Sequence, residues 1–172
     1  MRKGYVQIYT GNGKGKTTAA LGLALRAAGA GLRVYFAQFI KNTKTSEHKA
    51  LAKLQDNVTV KQYGKGFIMG KKPSRADIQA ARDGYEEIKN ILKKSQYDVV
   101  ILDEANVAVR YGLLTAQDLL ELMALKPGSV ELIITGRYAD EKVMAAADLV
   151  TEMREVKHYW EQGVTARRGI EK

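Results

Sequence analysis

The sequence of 172 residues contains no cysteine. This absence excludes disulfide bonds, thiolate metal sites, iron–sulfur clusters and a cysteine nucleophile. Histidine is almost as scarce, with only His48 and His158, and the sequence offers no recognisable Ser/His/Asp or metal-ligand constellation. No apolar run approaches the length of a membrane span, and no signal peptide precedes the first predicted strand. We therefore expect a cytoplasmic protein with no membrane partner.

Acidic residues are scarce in the first part of the chain. Residues 1–75 hold 15 Lys and Arg but only Glu47 and Asp56 as acids, whereas residues 76–172 hold 13 Lys and Arg against 17 acids. The formal net charge of +9 is therefore placed unevenly. A basic half suits a polyanionic ligand such as a nucleoside triphosphate or a nucleic acid. A solvated, lysine-rich surface would have the same composition, so charge alone identifies no partner.

The most specific motif lies at residues 10–18, Thr-Gly-Asn-Gly-Lys-Gly-Lys-Thr-Thr, between an apolar run and an Ala/Leu-rich segment. A strand, a glycine turn and a helix N-terminus make a phosphate-binding loop, because glycines let backbone N–H groups converge on phosphate oxygens. Lys16 would add positive charge, Thr17 a hydroxyl for Mg²⁺, and the helix start a partial positive charge. The pattern G-x-x-x-x-G-K-[ST] would place its first glycine at Thr10, so the loop is one residue short. A glycine-rich turn with an unrelated lysine is the alternative.

Six strand-like segments alternate with helical ones along the chain. Several are continuous apolar or β-branched runs, such as residues 99–102 and 132–134, which suit strands buried on both faces of a parallel sheet. We predict one domain over residues 1–172 with an α/β fold, a three-layer P-loop NTPase (RecA-like) domain with a mostly parallel sheet of about six strands. The predicted strands are Tyr5–Thr10, Arg33–Phe39, Val58–Tyr63, Asp98–Asp103, Val130–Thr135 and Leu149–Glu152. The predicted helices are Lys16–Ala28, Ser46–Leu54, Arg75–Lys94, Thr115–Leu125 and Glu141–Ala147.

Charged side chains follow two of these strands directly. Asp103 and Glu104 end the run Val-Val-Ile-Leu, and in P-loop proteins a strand-end acid binds or orients Mg²⁺ near the phosphates. Two helix-capping carboxylates are the alternative. Arg137 follows the next strand, at the edge where open α/β sheets bind ligands, and could reach a phosphate or a ribose. A surface arginine at a turn is equally compatible with its position.

Two further segments leave their roles open. Residues 62–75 contain three glycines and a proline around the apolar Phe67, Ile68 and Met69, so this loop either packs on the body or covers a ligand. Residues 157–160, Lys-His-Tyr-Trp, hold one of the two histidines and the only tryptophan. Packing is the ordinary role of such a segment, and stacking on a ligand is the alternative.

Taken in order, these motifs resemble those of the P-loop type of ATP:corrinoid adenosyltransferase, the enzymes that convert cob(I)alamin to adenosylcobalamin. The resemblance covers nearly the full length of the chain. Its specific part is the combination of a short phosphate loop, a Gln-Phe-Ile-Lys strand end and a Val-Lys-His segment in that order. The matching stretches are residues 9–20, 37–41, 100–106, 133–137, 147–153, 156–159 and 163–170.

The resemblance implies a reaction in which Co(I) of the corrin attacks C5′ of ATP and triphosphate leaves. Such a nucleophile needs no protein base, so the protein must position C5′ against cobalt and neutralise the leaving triphosphate. The resemblance also implies that ATP lies along the loop in reverse compared with ordinary NTPases. Mg-ATP would be the co-substrate and a corrinoid the substrate. An external electron donor, such as a reduced flavoprotein, and a homodimer are the partners that it implies.

On the ATP side, the resemblance assigns catalytic roles to Lys16, Thr17 and Glu104, and Mg²⁺ binding to Thr17 and Glu104 with Asp103 in support. It assigns ATP binding to Gly11, Asn12, Gly13, Lys14, Gly15, Lys16, Thr17, Thr18 and Arg137.

On the corrinoid side, the family has a Gly-Phe-x-Trp segment whose aromatic residues exclude the lower axial ligand of cobalt. Phe67 matches its phenylalanine, and Met69 stands where the family has tryptophan. A thioether is smaller and softer than an indole ring, so the lower face of the cobalt would be covered by a smaller group than in those enzymes. His158, Tyr159 and Trp160 lie in a matching segment and are further candidates for corrinoid contact.

Two other functions fit the same residues. A RecA-like P-loop ATPase acting on nucleic acid would explain the loop, the strand-end acids and the basic half. Against it, the chain is short for a motor, and we find no aromatic-basic module for binding a strand. A non-catalytic nucleotide-binding switch would bind ATP without any chemistry. The resemblance favours adenosyl transfer and makes nucleic acid an unexpected partner.

Overall fold

The structure is a computed structural model that describes residues 3–66 and 72–171. Its strands are β1 (Val6–Thr10), β2 (Val34–Phe39), β3 (Val58–Tyr63), β4 (Val99–Asp103), β5 (Glu131–Thr135) and β6 (Leu149–Glu152). They form one sheet in the order β3-β2-β4-β5-β1-β6. Each neighbouring pair in this sheet runs parallel. All six carboxyl ends therefore meet along one edge, where parallel α/β sheets bind their ligands.

Helices cover both faces of this sheet. They are α1 (Lys16–Gly29), α2 (Ser46–Leu51), α3 (Arg75–Lys93), α4 (Ala105–Arg110), α5 (Ala116–Leu125) and α6 (Glu141–Ala145). Buried residues of α1 and α2 pack in one apolar cluster, and those of α3, α4, α5 and α6 pack in another on the opposite face. The result is a three-layer α/β arrangement.

Side chains of the central strands divide between the two clusters. In β4, Val99 and Ile101 pack on the α1 side, whereas Val100 and Leu102 pack on the α3 side. Successive side chains of a strand point to opposite faces, and here both faces are covered, so residues 99–102 are all apolar. This burial explains why β4 appears in the sequence as a continuous apolar run and not as an alternating one.

The predicted fold class is confirmed, and the sheet is entirely parallel where the prediction was mostly parallel. The predicted helix over residues 46–54 divides into α2 and a 3₁₀ turn at Ala52–Leu54. Helix α3 begins as its sequence indicates: the Asp77 backbone N–H donates to Ser74 Oγ at 3.2 Å, and Ser74 N–H donates back to the Asp77 carboxylate at 2.9 Å. This reciprocal cap satisfies two backbone donors that the first turn leaves free.

Two short elements were missing from the sequence prediction. Helix α4 is six residues long and contains two valines, a length and composition with little intrinsic helical stability. Ala105 and Ala108 are fully buried, so packing against the sheet holds it. The second is a 3₁₀ turn at Tyr159–Gln162. Among the described residues, no helix is long and apolar enough to cross a membrane.

Candidate active site at the carboxyl edge of the sheet

The phosphate-binding loop connects β1 to α1, as the sequence predicts. Gly11 and Gly15 have φ angles of 93° and 122°. Residues with a Cβ rarely adopt such positive φ angles, whereas glycine does so readily. Gly13 donates its N–H to the Met153 carbonyl at 2.7 Å, and a Cβ at Gly13 would lie 2.7 Å from the same oxygen. Thr10 ends β1 and is not part of the loop; its hydroxyl accepts from Ala139 N–H at 3.3 Å. The loop therefore starts only at Gly11, and Gly13 packs against Met153, directly after β6.

Lys16 lies under this loop with only 9% of its surface exposed. Its ammonium donates to the carbonyls of Gly11 and Gly13, both at 2.7 Å. Burial lowers the pKa of Lys16, and the positive charge of Arg137 lowers it further, while Glu104 opposes both effects. A polyanion bound in the loop would offer this partly desolvated charge stronger partners than neutral carbonyls.

Asp103 is fully buried beneath Thr17 and anchors a network of hydrogen bonds. Its Oδ1 accepts from the hydroxyls of Thr17 at 2.8 Å and Thr135 at 2.7 Å. Its Oδ2 accepts from Gln38 Nε2 at 2.9 Å, and Gln38 Oε1 accepts from Gln62 at 2.9 Å. The carboxylate is therefore held in one orientation and fixes the hydroxyl of Thr17 at the start of α1.

Gln38 and Thr135 were not predicted as site residues. Each is a polar side chain that follows a run of apolar residues near the carboxyl end of its strand, and each is fully buried. A polar residue after an apolar run in a predicted central strand could have indicated both, because a polar group buried in a strand requires a hydrogen-bond partner. Both partners are oxygens of Asp103.

Glu104 follows in a strained backbone conformation, with φ 60° and ψ 19° at the start of α4. Its N–H donates to Thr135 Oγ1 at 3.1 Å. Burial raises the pKa of the Glu104 carboxyl, and the adjacent Asp103 carboxylate raises it further. The positive charges of Lys41, Lys16 and Arg137 act in the opposite direction. A divalent cation near Glu104 would favour its ionised form in the same way.

One cavity of about 1030 Å³ joins most of the predicted site. This volume is at the upper end of the range for small-molecule sites. Its walls come from the phosphate loop, the ends of β2, β4 and β5, and the segment after β6. Of the predicted residues, it is lined by Gly13, Lys14, Gly15, Lys16, Thr17, Thr18, Glu104, Arg137, His158 and Trp160.

Backbone strain is concentrated around this cavity. Four described residues other than glycine have positive φ, and three of them, Ile40, Glu104 and Tyr138, line the cavity. Ile40 is the least expected, because a β-branched side chain is crowded at its φ of 69°. The Lys41 N–H donates to the Phe39 carbonyl across it at 2.7 Å, which makes a tight three-residue turn. Such strain is typical of positions that present a side chain or a backbone group to a ligand.

The predicted aromatic segment borders the same cavity as the loop. Trp160 is 73% exposed and lines the cavity together with His158. His158 Nδ1 accepts from Trp160 N–H at 3.0 Å, so a neutral His158 carries its proton on Nε2. The Tyr159 hydroxyl instead accepts from Lys14 Nζ at 3.3 Å and contacts Glu171.

The remaining predicted residues occupy other positions. Gly11 offers its carbonyl to Lys16, Asn12 lies in the loop between Gly11 and Gly13, and Asp103 lies below the cavity as part of its floor network. Phe67 and Met69 lie outside the described residues.

The residues present fit Mg²⁺ bound through few protein ligands. No group of three or more His, Cys, Asp and Glu side chains that could hold a metal occurs in residues 3–66 and 72–171. Mg²⁺ in nucleotide sites usually takes one or two protein oxygens, phosphate oxygens and waters. The Thr17 hydroxyl and the Glu104 carboxylate line the same cavity as the loop, and Asp103 is bonded to Thr17 at 2.8 Å.

Comparison with known proteins finds similarity to corrinoid adenosyltransferases over nearly the whole chain. The family model for ATP:corrinoid adenosyltransferase BtuR/CobO/CobP matches residues 2–171. The chain is 36% identical to the corrinoid adenosyltransferase of Escherichia coli K12 over 169 residues, which cover 98% of this chain and 86% of the relative. It is equally similar, over the same shares, to the corrinoid adenosyltransferase CobA of Salmonella typhimurium. The corrinoid adenosyltransferase of Pseudomonas aeruginosa is 33% identical, with 98% of this chain and 84% of the relative covered.

Proposed function

The chain belongs to the ATP:corrinoid adenosyltransferase family, and from this premise we propose that it transfers the 5′-deoxyadenosyl group of ATP to Co(I) of a corrinoid. The bond between C5′ and O5′ breaks, a cobalt–carbon bond forms, and triphosphate carries away the displaced electron pair. Family membership favours this reaction over a RecA-like ATPase acting on nucleic acid.

Within this molecule, the main support for the proposal is one cavity that the phosphate loop and the aromatic segment share. The phosphate loop and the aromatic residues His158 and Trp160 line one space of about 1030 Å³. A nucleotide held by the loop would leave part of that space for a second, larger substrate. The reaction requires that arrangement, because C5′ and cobalt must approach closely for in-line displacement.

The protein's chemical task is to stabilise the leaving triphosphate. Lys16 supplies a buried positive charge, and the N–H groups of the loop and of the first turn of α1 supply further donors. Arg137 lines the same cavity and adds a second cation. Lys16 and the backbone donors are held in the loop and in α1 before the reaction, so little reorganisation opposes the growth of negative charge on the leaving oxygen.

Mg²⁺ is proposed to lie beside Thr17 and Glu104. The Thr17 hydroxyl and the Glu104 carboxylate are the protein oxygens available there, and Asp103 orients Thr17 from below through the bond of 2.8 Å. When bound, the ion neutralises charge on the triphosphate. Gln38 and Thr135 hold Asp103 and are supporting residues of the same arrangement.

On the corrinoid side, Phe67 and Met69 are proposed to displace the lower ligand of cobalt, as the family resemblance implies. A Phe67→Ala variant should lose more activity with a Co(II) substrate plus a reductant than with pre-reduced Co(I). Equal losses with both substrates would remove the case for a wedge at the lower face.

The proposed reaction is tested by incubating the protein with Mg-ATP and a chemically reduced corrinoid. We expect a light-sensitive cobalt–carbon product, seen in its visible spectrum, and one triphosphate for each product. Release of ADP and phosphate alone would contradict adenosyl transfer. DNA-stimulated hydrolysis with salt-sensitive DNA binding would support the nucleic-acid ATPase instead.

The electron donor, the oligomeric state and the cellular location are separate proposals. We propose that a reduced flavoprotein reduces Co(II) in the bound corrinoid, which predicts adenosylation without a chemical reductant when such a protein is added.

We also propose a homodimer, to be checked by sedimentation equilibrium; a monomer mass at micromolar concentration would contradict it. A cytoplasmic location is proposed too, and recovery of the native protein in membrane fractions would contradict that.

A further inference from the structure

Lys14 behaves differently from the other lysine of the phosphate loop. Whereas Lys16 points inward to the loop carbonyls, the Lys14 ammonium points to residues near the end of the sequence. It donates to Glu171 Oε1 at 2.8 Å and to the Ile170 carbonyl at 3.0 Å. It also donates to the Tyr159 hydroxyl at 3.3 Å. Its side chain is thus already engaged by protein oxygens.

Glu171 is the centre of this contact. Its Oε2 accepts from the Arg167 backbone N–H at 2.8 Å. Its Oε1 accepts from the Arg167 guanidinium at 3.1 Å and from Lys14, and the Tyr159 hydroxyl donates to it as well. Arg167 and then Lys14 hold the pKa of the Glu171 carboxyl well below its usual range. The carboxylate is therefore ionised throughout the neutral range, and it closes a compact turn over residues 167–171.

The turn forms part of the wall of the candidate active site. Gly169, Ile170 and Glu171 line the same cavity as Gly13 to Thr18. The Lys14 side chain joins this wall to the phosphate loop through two hydrogen bonds. Lys14 therefore connects residues 170 and 171 of this wall directly to the phosphate loop.

We propose that Lys14 is a positioning residue that holds residues 167–171 as a wall of the ATP cavity, with Glu171 as its partner. Its backbone N–H stays available to the triphosphate, and its ammonium does not bind phosphate. The identity of the ligand in this cavity rests on the proposed function. An isolated exposed ion pair is worth little, but here one carboxylate joins two cations and a hydroxyl.

A double-mutant cycle on ATP binding tests the proposal. Lys14→Met and Glu171→Gln should each raise the KM for ATP by roughly three- to ten-fold, with kcat within about two-fold of the wild type. The double variant should be no worse than the more impaired single variant, because both changes break one contact. Lys14→Arg, which keeps the charge, should restore most of the affinity.

Three results would overturn the proposal. If the two single effects multiply in the double variant, Lys14 acts on the triphosphate independently of Glu171. If Lys14→Met lowers kcat as severely as Lys16→Ala, its ammonium belongs to the leaving-group machinery. If Glu171→Gln lowers the KM for ATP, Glu171 competes with the nucleotide for Lys14 and does not assist its binding.

A second measurement needs neither catalysis nor a corrinoid. Trypsin cleaves after Arg167 and Arg168, which lie in the turn that Lys14 contacts, and the mass of the truncated chain reports this cleavage. Lys14→Met and Glu171→Gln should be cut there about five-fold faster than the wild type, since a loosened segment opens more often. Lys93→Met, an exposed lysine at the end of α3, is the matched control and should be cut at the wild-type rate. Equal rates in all variants would show that the contact between Lys14 and Glu171 does not hold residues 167–171, even if adenosyl transfer were established. Failure of adenosyl transfer would leave this measurement unaffected.

Discussion

At the residue scale, Lys16 carries the clearest expectation. Its ammonium is nearly buried and donates to two loop carbonyls, each at 2.7 Å. Lys16→Ala should lower kcat/KM by roughly 100-fold or more, because one fixed donor to a developing oxyanion is worth about that factor. The measurement is steady-state adenosylation with pre-reduced corrinoid, with the exposed Lys94→Ala as a control. Near-wild-type turnover of Lys16→Ala at saturating ATP would refute its role on the triphosphate.

Gln38 tests whether the buried network under Thr17 matters for function. Gln38→Leu removes the donor to Asp103 Oδ2 at 2.9 Å and the acceptor of Gln62. Mutation of a residue that supports a metal ligand typically costs 10- to 100-fold in metal affinity or activity. We therefore expect the variant to need about ten-fold more Mg²⁺. A Mg²⁺ titration of kcat/KM measures it, with the exposed Gln79→Leu on α3 as the control. A lower Tm with an unchanged Mg²⁺ requirement would mean that Gln38 only stabilises the fold.

Glu104 links activity to stability through pH. Burial raises its pKa above the ordinary value of 4.5, so the folded state is disfavoured wherever this carboxylate is ionised. Glu104→Gln should therefore raise the Tm at neutral pH, by about 2–4 °C for each kcal/mol relieved. The gain should shrink as the pH falls through the raised pKa and should vanish below about 4.5, where the acid is neutral in both states.

The same Glu104→Gln variant should lose roughly 100-fold in kcat/KM at neutral pH if its carboxylate binds Mg²⁺. Thermal melts and adenosylation rates over pH 4–8 check both expectations, with the exposed Glu86→Gln as a control. A variant that is more stable and fully active would remove Glu104 from the metal site.

At the scale of elements, the phosphate loop depends on β6 as well as on β1 and α1. A Cβ at Gly13 would lie 2.7 Å from the Met153 carbonyl oxygen and 2.8 Å from the Arg154 carbonyl. These are backbone atoms and cannot rotate away. Gly13→Ala should therefore push the loop off the end of β6 and weaken ATP binding by at least about ten-fold, or about 1.4 kcal/mol, as measured by calorimetry.

Gly22, in the exposed middle of α1, provides the matched control. Nothing lies within 4 Å of a Cβ added there, and alanine favours a helix over glycine by about 1 kcal/mol. Gly22→Ala should raise the Tm and leave ATP binding unchanged. If Gly13→Ala also bound ATP normally, the contact between the loop and β6 would have no functional role.

At the scale of the whole molecule, ATP should stabilise the fold strongly, because the proposed site joins distant parts of the chain and exists only in the folded state. Ligand at 100 times its Kd contributes about 2.7 kcal/mol, which corresponds to a rise in Tm of about 5–10 °C for a chain of this size. Differential scanning fluorimetry with Mg-ATP measures the shift, and Lys16→Ala should abolish it. The same shift with the sodium salt of ATP and a chelator would contradict a role for Mg²⁺ in binding.

Local patterns predicted much of the fold. Glycines at residues 11, 13 and 15, the continuous apolar runs of β4 and β5, and the Ser74 cap each act within a few residues, so the sequence alone indicated the loop, the strands and the start of α3. Helix α4 escaped prediction because burial of Ala105 and Ala108 holds it and its composition does not. Asp103 and Glu104 were predicted as a pair, but the structure separates them: Asp103 is enclosed under Thr17, and Glu104 lines the cavity.

By itself, the sequence determined the α/β fold class, the phosphate-binding loop, the strand-end acids and, through its resemblance, the family. Those features depend on residue type and short-range order, which a linear chain displays. Only the tertiary structure decided that Gln38 and Thr135 hold Asp103, that Gly13 rests on the end of β6, and that Lys14 pairs with Glu171, 157 residues along the chain. Such contacts depend on which strands become neighbours, and only the order of strands in the sheet places β6 beside β1 and the loop that follows it.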